Sequence, residues 1–435
     1  MKNRFSKIIS AVLITSLLLT AAACASKNAG TDNTAAAAND GVIKAAASYK
    51  ATLTAQTITA FPDAFVTGMN HYGWTAAARL YTGENLALSP ASLELAILMT
   101  RTGALGATSD EMKTALSMSS LSDEDILVSC KQLMWRANTN GMEAASSIWM
   151  QKDDSFCDTF INSCTNHFMS DAFAVDFQMD PAGAMDSINK WTSDKTNGNI
   201  PMMNSEPLDT YTRLVLVNAL SFLGAWETPF AVENSYDQTF HGTQKDASVI
   251  FMHDKREMLY SVTPSYQMIS LPFTGTSAKS DSPYSMAFIL PADGQDITDV
   301  MNDLAATGFA FAVAGLAGAK VQLALPKYEF TFDTSMKKTM QTLGMNLAFD
   351  PKKADFDGLT VSDNDLCISD ILHTCSIRVD EKGTEVSAVT EPVMTSASAS
   401  LDDDLKTFTA DRPFLFAIYD ETDNTILFLG VVGQL

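Results

Sequence analysis

The stretch RLVLVNALSF, residues 213–222, constrains this chain more than any other. It is nearly continuous in Leu, Val, Ala and Phe, with no alternating polar face. A run of that kind predicts a strand buried on both sides, and so a sheet covered by other elements above and below. Asn218 interrupts it. A buried amide must find hydrogen-bond partners, so the fold has to bring other polar groups to this point. His373 poses the same problem in LCISDILHTCSIRV, residues 366–379. The reading that fits both is a satisfied core network rather than a catalytic pair.

Further strands follow from YSMAFILP, KVQLALPKYEFTF and PFLFAIYD with TILFLGVV. Helices dominate the first half. Ser89-Pro90 reads as an N-cap with Pro at the first helical position, ahead of Leu93, Ile97 and Leu98. Thr108 with Glu111, and Ser122 with Asp125, read as capping signals for the next two helices. A later helix is expected from Asp333 as cap, through Met336, Met340 and Leu343, to a stop at Gly344. Helices first and mostly antiparallel sheet later give an α+β class.

The chain carries 29 Lys+Arg against 51 Asp+Glu, a net charge of −22, which argues against a nucleic-acid partner. Its N-terminus has Lys2, Arg4 and Lys7, then the apolar run IISAVLITSLLLT, then AAAC. That is the layout of a signal peptide, too short for an ordinary transmembrane helix. It resembles a bacterial lipoprotein signal over residues 1–23, with Cys24 as the lipidated residue; the alternative is a secretory signal with a chance cysteine. Residues 24–60, rich in Ala, Thr, Asn and Lys, read as a tether, and 61–435 as one large domain. The expected location is extracellular, as a cell-surface lipoprotein whose only membrane contact is the lipid. The five remaining cysteines are Cys130, Cys157, Cys164, Cys367 and Cys375, an odd set without zinc-site spacing. They read as buried thiols.

No enzyme signature appears: no nucleophile elbow, zinc helix, P-loop or dinucleotide fingerprint. None of the histidines has a neighbour at metal-ligand spacing. The acidic stretches DFDG and DDD lack the rest of a calcium loop and read as solvated. The expectation is no enzyme, no metal and no cofactor.

Six segments resemble serpins, in serpin order. They are NLALSPASLELAILMTRTGALGATSDEM, INKWTSDKTNGNIPMM, RLVLVNALSFLGAWETPF, VQLALPKYEF, LCISDILHTCSIRVDEKGTEVSAVT and FTADRPFLFAIYDETDNTILFLGVV. The resemblance covers residues 61–435. It implies three β-sheets, roughly eight or nine helices and an exposed reactive-centre loop. It implies a monomeric suicide inhibitor of serine or cysteine proteases. The protease cuts the loop and is trapped as an acyl-enzyme when the loop inserts into the central sheet as a new strand. The alternative within the family is a non-inhibitory binding or storage module.

The resemblance also assigns residues. The hinge is Glu381, Gly383, Thr384, Val386, Ala388 and Thr390. The shutter, which holds the central sheet closed, is Ser89, Ser92, Asn189, Asn218 and His373. The breach beneath the hinge is Trp226 and Lys327, with Lys327 pairing Glu381. Family spacing, counting Glu381 as the seventeenth residue before the cut, puts the reactive bond at Ala397–Ser398. Met394, Ser396 and Ala399 remain open. Small residues there suit elastase-like or subtilisin-like proteases. In a strand, alternate residues share a face. Thr384, Val386, Ala388 and Thr390 make one face free of charge, which can be buried. Val386 is bulkier than the Ala commonest there, and Pro392 lacks a ladder donor.

Overall fold

The strand over Leu214–Phe222 lies inside a six-stranded sheet whose order is β1 (Ile43–Lys44), β4 (Asp171–Val175), β3 (Met142–Gln151), β5 (Leu214–Phe222), β13 (Asp370–Val379) and β12 (Tyr328–Ser335). This computed structural model describes residues 43–44, 60–139, 142–168, 170–203, 208–222, 224–274, 283–361, 366–384 and 404–435. The signal, Cys24 and most of the tether lie outside the described residues. So do Val386, Ala388, Thr390, Pro392, Met394, Ser396, Ala397, Ser398 and Ala399.

Both faces of β5 are covered. Leu214 and Leu216 point into the main core, while Val215, Val217 and Ala219 join a second cluster with Trp149, Ile188 and Trp191. Ile188 and Trp191 come from helix α6 (Pro181–Lys195), which packs on that second face. Burying each such aliphatic side chain contributes about 1.5–3 kcal/mol, so both faces hold the sheet in its layer.

Among the described residues the sheets are this one, a nine-stranded sheet and a two-stranded pair. The nine-stranded sheet runs β15 (Lys406–Thr409), β11 (Ala317–Pro326), β8 (Asp246–Val262), β9 (Tyr266–Pro272), β10 (Tyr284–Pro291), β16 (Phe414–Asp420), β17 (Thr425–Val432) and β2 (Leu86–Leu88), with β7 (Ser235–His241) on β8. The pair is β6 (Gly224–Ala225) with β14 (Gly383–Thr384). The other helices are α1 (Asp63–Leu80), α2 (Pro90–Arg101), α3 (Gly106–Ala115), α4 (Asp123–Thr139), α5 (Asp158–Ser163), α7 (Ile297–Thr307), α8 (Phe309–Ala314) and α9 (Lys337–Thr342).

Three local expectations are corrected. KVQLALPKYEFTF is not one strand: it divides at Lys327 into β11 and β12, which belong to different sheets. Thr108 and Glu111 do not cap α3, which already begins at Gly106. Their side chains accept instead from the backbone of Asp355, Asn346 and Leu347, clamping a distant segment. Asp333 caps no helix; it sits in β12 and accepts a hydrogen bond from Thr374. The Ser89 cap and Pro90 are as expected, and Ser122 accepts from Asp125 N at the start of α4.

Candidate functional site

β5 carries two polar centres, one at its middle and one just past its end. The middle one is built around Asn218. Its neighbour on β13 is His373, at the same rung of a parallel ladder, and its neighbour on β3 is Ser146. Asn218 Nδ2 donates to Ser146 Oγ at 3.0 Å. Its Oδ1 accepts from Ser92 Oγ at 2.5 Å and lies 2.9 Å from His373 Nδ1. An amide oxygen is an acceptor, so the proton of His373 sits on Nδ1. Nε2 is then left to accept, from Ser89 N at 3.3 Å and from the Cys375 thiol at 3.1 Å.

The serines come from the start of α2. Ser89 caps that helix, accepting from Ser92 N at 3.2 Å, and its hydroxyl donates to Leu427 O at 2.7 Å. Two sheets and one helix terminus are thus tied at one buried point. Burial pushes the His373 imidazole down to about 3, so it is neutral at ordinary pH. A buried, neutral imidazole whose nitrogens are both committed is a lock and not a proton-transfer group. Leaving any member unpartnered costs about 1–3 kcal/mol.

Ser89, Ser92, Asn218 and His373 are brought together here; Asn189 is not. It lies on α6, which packs against the opposite face of the sheet, and its Oδ1 accepts from Met203 N at 2.9 Å. Ser146 was missed by the sequence reading, and Cys375 was expected only as a buried thiol, not as a partner of His373. The signal for Ser146 was weak: β3 reads MEAASSIWMQ, with small polar residues where a buried strand is usually branched.

The second centre is the hinge. β13 ends at Val379, and a tight turn reverses the chain, with Asp380 N donating to Gly383 O at 2.9 Å and Gly383 N to Asp380 O at 3.2 Å. Gly383 has φ +137°, and a Cβ there would collide with the Gly224 carbonyl. Only glycine meets both conditions. Beyond the turn, Gly383 and Thr384 pair antiparallel with Ala225 and Gly224. Thr384 is buried, and its hydroxyl accepts from Gly224 N at 2.9 Å.

Trp226 supports this turn. Its Nε1 donates to Asp380 O at 3.0 Å and its backbone N to Lys382 O at 2.8 Å. Its ring stacks on Phe273 with centroids 4.6 Å apart. Lys327, at the break between β11 and β12, reaches Glu381 Oε2 at 2.9 Å. Burial of Glu381 opposes its ionisation, but the Lys327 bond and the other hydrogen bonds together outweigh it and hold the carboxyl below its usual range.

β5 and β13 lie side by side as a parallel ladder from Val215/Asp370 to Ser221/Ser376, with no strand between them. Among the described residues, no group of three or more His, Cys, Asp or Glu is placed to hold a metal.

Three comparisons set the chain among known proteins. The family model described as Serpin (serine protease inhibitor) matches residues 68–434. The chain is 32% identical over 355 residues to an uncharacterized serpin-like protein of Thermococcus kodakarensis, covering 80% of each. It is 31% identical over 379 residues to intracellular coagulation inhibitor 2 of Tachypleus tridentatus, covering 85% of this chain and 90% of that one. Among solved structures it is similar to tengpin, a thermophilic serpin in its native state. The TM-score is 0.79 at 28% identity, over 87% of this chain and 96% of tengpin.

Proposed function

The chain belongs to the serpin family, and we propose that it is a suicide inhibitor of serine proteases that works by inserting its own cleaved loop between β5 and β13. The observation that carries this is the register of the hinge. Gly383 and Thr384 already run antiparallel to Ala225 and Gly224, directly beyond the end of β5. Continuing that register unbroken sets Thr390 opposite Asn218. Continuing the turn register, Asp380 with Gly383, sets Thr390 opposite His373. Asn218 and His373 are themselves paired. The two extrapolations therefore agree on one strand position.

The chemistry of such a strand fits the gap. It is antiparallel to both neighbours, so it replaces one parallel ladder by two antiparallel ones, which are slightly more stable per residue. Thr384, Val386, Ala388 and Thr390 fall on the face that Asn218 and His373 share, toward the main core. None carries a charge, so none meets the cost of burying an unpaired one. Thr390 brings a hydroxyl to the point where the Asn218–His373 bond must break, and can take up the freed donor and acceptor. Pro392 would stand opposite Leu216, where its missing N–H forfeits one ladder bond.

The finer assignments follow. The target is an elastase-like or subtilisin-like protease, and the bond cut is Ala397–Ser398. The mature chain sits at the cell surface through a lipid on Cys24. A Cys24→Ser variant released into the medium, with loss of fatty-acid labelling, checks that placement.

Pro392 favours the second reading, a non-inhibitory serpin. The fold alone does not decide, since thyroxine-binding globulin in complex with thyroxine has it too, with a TM-score of 0.75 at 22% identity. The experiment is to mix the protein with pancreatic elastase and with subtilisin, run denaturing gels and weigh the released peptide. A covalent adduct, with the peptide starting at Ser398, is the expected result. Simple cleavage without adduct leaves the non-inhibitory reading.

A further inference from the structure

Glu94 lies on α2, two residues beyond Ser92, and is 1% exposed. Neither carboxyl oxygen has a hydrogen-bond partner among the described residues. A buried carboxylate in that setting is among the costliest groups a core can hold. The groups that feel its charge are Tyr72 on α1 and Cys130 on α4, each pushed up by burial first and by Glu94 second. The Tyr72 hydroxyl is turned to Met340 Sδ, 3.5 Å away, and gives Glu94 no donor.

Among the described residues, the cations on α2 and α3 are engaged elsewhere. Arg101, on the same helix, is held by Ser109 O and Asp123. Lys113 on α3 is bound to Leu121 O, and Glu111 on α3 to the Asn346 and Leu347 amides. His71 on α1 contacts Ala305 O. Cys164 and His167 lie on the turn 164–168 packed against α2, where burial raises the thiol and lowers the imidazole. Burial alone raises Glu94 well above the usual carboxylate value.

We propose that Glu94 is a proton-sensing strut of the central lock: uncharged, it lets α2 stay seated on the β5–β13 seam, and on losing its proton it loosens α2 and frees the seam to part. The coupling is geometric. α2 contacts β3 and β5 on one side and α1 on another. The helix start that caps itself with Ser89 also supplies the Ser92–Asn218 and Ser89–His373 bonds. Charge on Glu94 is relieved only by reaching water, and the shift of α2 that this needs strains those bonds.

The sign follows from linkage. Between the unfolded value and the raised folded one, the closed form holds a proton that the opened form gives up. Stability of the closed form therefore falls as pH rises through that window. The proposal requires that the seam can open; it does not require that a protease be trapped.

The test is amide hydrogen exchange along Asp370–Ser376, with thermal unfolding, on the full chain from pH 5 to 8. Wild type is compared with Glu94→Gln, which keeps the shape and cannot ionise, and with Glu94→Met, which removes the polar group. Seam opening in wild type should rise relative to Glu94→Gln by up to about tenfold per pH unit. Glu94→Met should unfold roughly 3–6 °C higher at pH 8. Either of two results overturns the proposal: a Glu94→Gln profile that superimposes on wild type, or a pH-dependent unfolding temperature with no matching change at the seam.

Discussion

Asn218 and His373 stand on the same rung of the β5–β13 ladder and share a hydrogen bond of 2.9 Å from Nδ1–H to Oδ1. That bond spans the seam which any inserted strand has to open. Both residues are fully buried, and their remaining polar atoms are held by Ser89, Ser92, Ser146 and Cys375. The seam is therefore pinned at its middle by a network that can break at one place only by breaking at several.

The lock has an acid limit. Burial puts His373 at about 3 against an ordinary 6.5. Below 6.5 the unfolded chain binds a proton that the folded one refuses. Stability from this group is complete above that value and is lost progressively as pH falls toward 3. His373→Ala should cost about 2–4 kcal/mol at neutral pH by orphaning Asn218 and Ser89. It should also flatten the loss of stability between roughly pH 6.5 and 5. Denaturant midpoints against pH check both.

Glu381 and Lys327 should work in the same direction at lower pH. Glu381 is held below its usual range, so its contribution is present above the unfolded carboxylate value and is lost as pH falls through the folded one. Lys327→Ala leaves that carboxylate buried without its cation, at a cost of about 1–3 kcal/mol. The turn 380–383 should then be cut faster by a nonspecific protease, as read by peptide mass.

Gly383→Ala tests the hinge itself. Its φ of +137° and its approach to the Gly224 carbonyl exclude a Cβ. The variant should lose at least about 2 kcal/mol and the pairing of Thr384 with Gly224. Amide exchange at Gly224 would rise while that of β3 stays unchanged.

If the loop inserts as proposed, Thr390→Lys should replace trapping of the protease by simple cleavage. The ammonium would have to enter the main-core face beside Asn218, at a cost of several kcal/mol. Covalent adduct should fall sharply while the rate of loop cleavage is little changed. Glu391→Lys, on the opposite face, is the control and should retain adduct.

Much of this arrangement was legible in the sequence because burial leaves marks there. The unbroken run in β5 predicted cover on both faces, and the polar breaks at Asn218 and His373 each predicted a buried polar partner; that they share one network came through the resemblance. The pairing of Lys327 with Glu381, and Trp226 beneath the turn, came through the resemblance; neither has a local pattern. What was not legible depends on direction in space. Asn189 sits in a segment that resembles the family as well as Asn218 does, yet it comes from a helix on the other side of the sheet. Ser146 lay in a strand too rich in small residues to be seen as one. Thr108, Glu111 and Asp333 carry cap-like chemistry that tertiary contacts redirect to other segments.

The central claim is that the chain following Thr384 becomes a strand between β5 and β13. The most direct measurement is the thermal unfolding midpoint before and after a single proteolytic cut in residues 385–403. Insertion adds a central strand with two new ladders, so the account predicts that the cut protein melts well above the intact one. It also predicts that the Asp370–Ser376 amides become more protected. A cut protein that melts at the same temperature or lower, with the seam amides unchanged, would contradict it.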